Sequence, residues 1–134
     1  MTYIGKIPEI RYKAVRITPT ITGVQYANND ILFDTTEIPG AVETAGGGSK
    51  LINVSLWTKS NSVFDIELLF FQVNQSMGTV NDARNVSDAD WATAKYLGHI
   101  VLDGSEDDYN YGNGRIFTFA VPIDWLTWKN KSSI

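Results

Sequence analysis

Apolar and polar residues alternate most regularly in two stretches at the middle of the chain, residues 51–57 and 64–73. Side chains point to opposite faces along a β-strand, so this period of two predicts two strands that are each buried on one face. Their inward positions would be Ile52, Val54 and Leu56, then Phe64, Ile66, Leu68 and Phe70. The polar break at 58–62 between the two stretches favours an antiparallel hairpin.

The same alternation predicts further strands on both sides of this hairpin. They cover residues 11–18, 21–26, 31–33, 36–38, 96–103 and 115–121, with a long loop at 104–114. A glycine-rich stretch at 45–49 is predicted to be a mobile loop, because it lacks the Gly-Lys-Ser/Thr ending of a phosphate-binding loop.

A single short helix is predicted over residues 87–95. Ser87 suits the N-cap, and Asp88 and Asp90 fall in the first turn, where the helix dipole favours anions. Trp91 is expected to face inward. Since strands do not alternate with long helices, the sheets should be antiparallel. The predicted fold class is therefore all-β: an antiparallel, jelly-roll-like β-sandwich of about eight strands with one short helix near 87–95.

A chain of 134 residues predicts one domain, here residues 11–134, preceded by an extended arm at 1–10. Gly5 and Pro8 interrupt the arm, so its apolar side chains should dock either on the domain itself or on a neighbouring subunit. The C-terminal tail is also too apolar to be a free end. The candidate interface residues are Tyr3, Ile4, Ile7, Ile10, Trp125 and Trp128.

The composition argues against several kinds of site and several kinds of partner. The chain has no cysteine, one histidine and a net charge of −4, which argues against disulfides, thiolate metal sites and nucleic-acid binding. No apolar run approaches the length of about 20 residues that a membrane helix needs, so no membrane partner is expected. The first residues lack the pattern of a secretory signal, and we expect synthesis in the cytoplasm.

No group in the sequence is placed for catalysis. His99 lies in the middle of a predicted strand, and no serine sits in a Gly-x-Ser-x-Gly elbow. Asp65 and Glu67 share a strand face, as a pair of glycosidase carboxylates could, but alternating acids are also typical of the solvent side of a sheet. The expectation is a protein that is not an enzyme and has no cofactor.

The segment from 103 to 111 carries the remaining candidate chemistry. Its carboxylates are weak candidates for a calcium site, but their spacing is not that of an EF-hand, so a solvated loop and no metal are expected. These residues are Asp103, Glu106, Asp107 and Asp108. Tyr109 and Tyr111 are the best candidates for exposed aromatic side chains that face a ligand. A carbohydrate-binding module is suggested by these two together with the four tryptophans, Trp57, Trp91, Trp125 and Trp128. Core and interface positions would also account for aromatic residues.

Several short motifs between about residues 20 and 103 suggest a family. In order they lie at 26–32, 37–41, 46–54, 69–71 and 96–98. This order resembles that of head decoration (cement) proteins and related small virion proteins of tailed bacteriophages. The resemblance implies a jelly-roll-like sandwich without catalytic residues, often a homotrimer.

The same resemblance implies partners and a location. The partners would be the major capsid protein and further copies of the chain, on the outside of a virion assembled in the host cytoplasm. The alternative is a carbohydrate-binding β-sandwich of a phage fibre or adhesin.

Overall fold

The computed structural model describes residues 12–60, 62–106 and 108–120, together with the backbone of a strand at 127–129. Its strands are β1 (Gly48–Lys50), β2 (Asn53–Thr58), β3 (Ile66–Phe71), β4 (Tyr96–Leu102), β5 (Asp108–Asn110), β6 (Arg115–Ala120) and β7 (Thr127–Lys129). Helix α1 (Asp88–Ala94) lies between β3 and β4. All strand pairs are antiparallel, which confirms a β-rich antiparallel fold with one short helix in the described part of the chain.

The strands form three small sheets, β2-β6-β5, β3-β4 and β1-β7, within the described residues. The predicted hairpin of 51–57 with 64–73 is therefore wrong, because β2 pairs with β6 and β3 pairs with β4. The alternation indicates which face of a strand is buried, but which strand it pairs with depends on residues far away in the sequence. Leu56 lies opposite Phe117, and Leu68 lies opposite Ile100.

The four strands predicted before residue 40 are absent from the described residues 12–40, where an isolated bridge joins Asp30 to Ala83. Side-chain hydrogen bonds order this region in place of a ladder. The Tyr26 hydroxyl accepts from the Thr22 N–H at 2.8 Å and donates to the Leu32 carbonyl at 3.1 Å.

The Asp34 carboxylate connects this region to the segment that follows β3. It accepts hydrogen bonds from the Ser76 hydroxyl at 2.6 Å and from the N–H groups of Met77 at 2.9 Å and Thr35 at 2.8 Å. Desolvation raises the pKa of Asp34, but these three hydrogen bonds outweigh it and hold the pKa below its ordinary value. Hydrogen bonds to the Asp34 carboxylate therefore hold the long N-terminal segment against the segment that follows β3.

The core lies between the three-stranded sheet and the β3-β4 sheet. Its buried members are Ile66, Ile100, Leu102 and Phe117, and the rings of Phe64 and Phe117 are in contact with their centroids 5.7 Å apart. This packing confirms most of the inward positions predicted for the two central stretches, namely Val54, Leu56, Phe64, Ile66, Leu68 and Phe70. Ile52 is 52% exposed rather than inward, because it precedes β2, which begins at Asn53.

Helix α1 begins as predicted. The Ser87 hydroxyl accepts from the Asp90 N–H at 3.1 Å, and the helix ends where Lys95 takes a left-handed conformation with φ 53°. The prediction that Trp91 faces inward is wrong, since it is 37% exposed. Ala94 is the buried residue of α1, and its carbonyl accepts a hydrogen bond from the Val73 N–H at 3.1 Å, just after β3.

Two predicted loops contain short strands. The glycine-rich stretch runs into β1, which pairs with β7, and the loop 104–114 contains β5, which pairs with β6. Each of these strands has three residues, too few for a period of two to stand out in the sequence. Seven strands are described where about eight were expected.

Candidate functional site

The outer face of the three-stranded sheet carries a row of exposed apolar side chains. Trp57 of β2 lies opposite Ile116 of β6, and Ile116 lies opposite Tyr109 of β5. Residues directly opposite each other in antiparallel strands share a face. Their exposed fractions are 56% for Trp57, 37% for Ile116 and 69% for Tyr109. With Tyr111, these residues make up what we call the aromatic face.

Tyr111 joins this row through a side-chain hydrogen bond. The indole Nε1 of Trp57 donates to the Tyr111 hydroxyl at 2.6 Å, and the Tyr111 N–H donates to the Gly114 carbonyl at 3.1 Å. Gly114 is buried, and a Cβ there would collide with the Tyr111 ring and with the Thr58 carbonyl. The tyrosine can therefore fold back towards Trp57 because residue 114 has no side chain.

A cation lies at the edge of the aromatic face. The Arg16 guanidinium carbon is 5.7 Å from the centroid of the Trp57 ring, within the range of a cation–π contact. The neighbouring outward positions of β2 and β6 are small or uncharged, namely Asn53, Ser55, Thr118 and Ala120. The face thus combines aromatic rings, hydroxyl and amide groups, and one guanidinium.

The strand that carries Tyr109 is joined to β6 on the inner side of the sheet by an ion pair. Asp108 of β5 pairs with Arg115 of β6, and their side chains are only 9% and 11% exposed. Breaking such an enclosed pair by removing one partner leaves a charge without compensation, which is strongly destabilising. This pair stabilises the β5–β6 connection from beneath the aromatic face.

The predicted metal candidates do not converge among the described residues. Asp108 forms an ion pair with Arg115. Asp103 accepts hydrogen bonds from the Ser105 hydroxyl at 2.6 Å and from the Ser105 N–H at 2.7 Å. These hydrogen bonds lower the pKa of Asp103, and the one from the Ser105 hydroxyl has the larger effect. Glu106 is exposed, and Asp107 lies outside the described residues. No group of three metal-ligating side chains occurs in the described part of the chain.

The polar residues considered for catalysis, His99, Asp65 and Glu67, have neighbours that are typical of structural positions. The His99 Nδ1 is hydrogen-bonded to the Tyr96 hydroxyl, and the two rings stack with centroids 6.3 Å apart. Asp65 accepts from the Gly104 N–H at 2.9 Å. Glu67 is exposed on β3, opposite Val101. Glu67 and His99 belong to the β3-β4 sheet, whereas the aromatic face lies on the β2-β6-β5 sheet.

A second aromatic group surrounds Trp91. Its ring lies 5.7 Å from Phe71 and 5.3 Å from Tyr96, and the Arg84 guanidinium is 5.9 Å above it. An open depression of about 290 Å³ adjoins it, lined by Arg84, Val86, Ser87, Asp88 and Trp91. The rings here pack mainly on one another, so this group is less available than the aromatic face.

The predicted interface residues are not tested by the structure. Tyr3, Ile4, Ile7, Ile10 and Trp125 lie outside the described residues, and of Trp128 only the backbone, opposite Ser49, is described. The exposure expected for Tyr109 and Tyr111 is confirmed at 69% and 37%. From the sequence, Trp57 is a candidate together with the two tyrosines, but its position beside them is not predicted, and Ile116 and Arg16 are missed. The alternation could have placed Trp57 outward, but only the register brings it beside Tyr109.

Comparison with known proteins returned nothing: no family model, curated protein or solved structure matches this chain. Within the residues that the structure describes, no helix has the length and apolar character needed to cross a membrane.

Proposed function

We propose that this chain is a non-enzymatic structural protein of a virion, which binds the outside of a phage capsid as a homo-oligomer and stabilises it. One observation carries the proposal. In the described residues six hydrophobic side chains are buried, whereas twelve large hydrophobic ones are exposed. Single exposed apolar residues are ordinary, but larger exposed apolar patches mark interaction sites, and this excess of exposed over buried side chains supports a subunit that completes its burial by association.

The N-terminal segment supplies a surface for that association. Tyr12, Ile21 and Val24 are 75%, 58% and 61% exposed, in a stretch that belongs to no helix or sheet. The apolar arm predicted at 1–10 continues this segment. We propose that arm and segment together dock on neighbouring subunits, with Tyr3, Ile4 and Ile7 as anchors.

A jelly-roll-like sandwich belongs to the same proposal. The β2-β6-β5 and β3-β4 sheets pack through Phe117, Ile66, Ile100 and Leu102, which supports a two-layered arrangement. In the mechanism that we propose, each subunit bridges two capsid subunits. A standard interface buries about 1,600 Å², and many copies together would oppose the outward pressure of packaged DNA.

Two measurements test the proposal. Light scattering after size-exclusion chromatography should give about three times the 14.9 kDa mass of one chain, as expected for a trimer. Co-sedimentation with capsids that lack the protein should show saturable binding, which deletion of residues 1–10 abolishes while the far-ultraviolet circular dichroism is retained.

A matched pair of substitutions sharpens this test. Val24→Asp should reduce capsid binding about tenfold or more, because it buries a charge in the contact. Val63→Asp is the control, since Val63 is similarly exposed at 63% but precedes β3. A monomeric chain that binds no capsid, or an arm deletion that still saturates capsids, would contradict the proposal.

A further inference from the structure

We propose that the aromatic face, formed by Trp57, Tyr109, Tyr111 and Ile116, binds a carbohydrate. A pyranose ring would stack on Tyr109, with the hydrogen-bonded pair of Trp57 and Tyr111 beside it and Arg16 at the edge. This activity is separate from capsid attachment and does not depend on it.

Two of the rings, those of Trp57 and Tyr111, are held in place before any ligand arrives. Trp57 is fixed by its 2.6 Å hydrogen bond to Tyr111 and by the Arg16 guanidinium 5.7 Å from its ring centroid. Gly114 leaves the space that Tyr111 occupies, and Tyr109 projects from a strand that pairs with β6. Side chains that are already ordered lose little conformational freedom on binding, which favours affinity for a small ligand.

The size of the aromatic face decides between a sugar and a protein partner. From the exposed fractions of its four side chains it offers on the order of 400 Å². A stable protein interface needs about 800 Å² from each partner, so a second copy of the chain would require as much contact again from elsewhere. Adjacent strands lie about 4.8 Å apart, which places Trp57 and Tyr109, two strands apart, about 10 Å from each other. That span suits a short oligosaccharide.

The chemistry of the surroundings fits the same ligand. A pyranose has an apolar face of C–H groups and a rim of hydroxyl groups. The aromatic rings match the face, and the exposed side chains of Ser55, Thr118 and Asn53 offer hydrogen-bond donors and acceptors for the rim. The Arg16 guanidinium adds a preference for sugars that carry a carboxylate, because it can donate two parallel hydrogen bonds to it.

The test uses the full chain and three defined probes: oligosaccharides of glucose, of N-acetylglucosamine and of galacturonate. We expect saturable binding to at least one of them by isothermal titration calorimetry. Tyr109→Ala should weaken that binding about tenfold or more, whereas Tyr109→Phe should keep it within about threefold, since the ring rather than the hydroxyl carries the contact. Tyr12→Ala is the matched control, because Tyr12 is 75% exposed but lies in the N-terminal segment.

Three outcomes would overturn the inference. These are no binding of any probe at millimolar concentration, an equal loss with Tyr109→Ala and Tyr12→Ala, and loss of oligomerisation with Tyr109→Ala. The last result would make the aromatic face a protein interface and leave the proposed structural function intact. Conversely, sugar binding by a chain that stays monomeric and binds no capsid would support this inference and contradict the proposed function.

Discussion

At the scale of single residues, Gly114 determines whether Tyr111 can take its position in the aromatic face. It is buried, it accepts the Tyr111 N–H through its carbonyl, and a methyl group at its Cα would collide with two neighbours at once. One neighbour is the backbone carbonyl of Thr58 at the end of β2, which cannot swing aside as a side chain can. The constraint therefore acts on both the sheet and the tyrosine.

We predict that Gly114→Ala lowers the free energy of unfolding by about 1–3 kcal/mol, because β2 or the β5–β6 connection must shift to admit the methyl group. Urea unfolding followed by circular dichroism measures this change. Gly23→Ala is the control, since a Cβ there would meet no atom within 4 Å. Equal midpoints for the two variants would contradict the packing described around Gly114.

The exposure of single residues follows from the local sequence only in part, since the inward positions expected for Ile52 and Trp91 are wrong. Tyr109 and Tyr111 stand among Asn and Gly residues, and that local context sufficed to predict that they are exposed. The contact between Trp57 and Tyr111 spans 54 positions and depends on the register of β2 on β6. No periodicity within either segment carries that information.

At the scale of elements, the strands with strong alternation were predicted and their pairings were not. β3, β4 and β6 follow from period two because each has one face against the core. The N-terminal stretch 12–18 shows why alternation alone can mislead. Its exposure alternates along the chain, yet it lies in no sheet, since its order comes from contacts such as that of Arg16 with Trp57.

Engineered disulfides can test the pairing, because the chain has no cysteine of its own. Ser55→Cys with Thr118→Cys places two thiols directly opposite on β2 and β6, and we predict that they form a disulfide under mild oxidation. Asn53→Cys with Glu67→Cys is the control, since the hairpin predicted from sequence would bring these positions together. Non-reducing mass spectrometry of tryptic peptides distinguishes the two pairs. Efficient crosslinking of the control pair alone would overturn the described topology.

At the scale of the whole molecule, the balance between core and surface governs the behaviour of the chain. The core rests on a few side chains, of which Phe117, Ile100 and Leu102 are the largest that are fully buried in the described residues. A folded domain is stable by only about 5–15 kcal/mol, so a thin core leaves a small margin. Apolar surface buried between subunits would add to that margin.

We therefore predict that the melting temperature rises with protein concentration. Association stabilises the native state by mass action, and a hundredfold increase in concentration contributes about 2.7 kcal/mol for a simple binding equilibrium. For a chain of this length that corresponds to roughly 10 °C, which differential scanning calorimetry resolves easily. Val24→Asp should abolish the dependence by weakening the contact of the N-terminal segment, while Val63→Asp should preserve it. A wild-type melting temperature that stays constant across the hundredfold range would mean that the domain reaches its stability alone, and the exposed apolar side chains would then need another explanation.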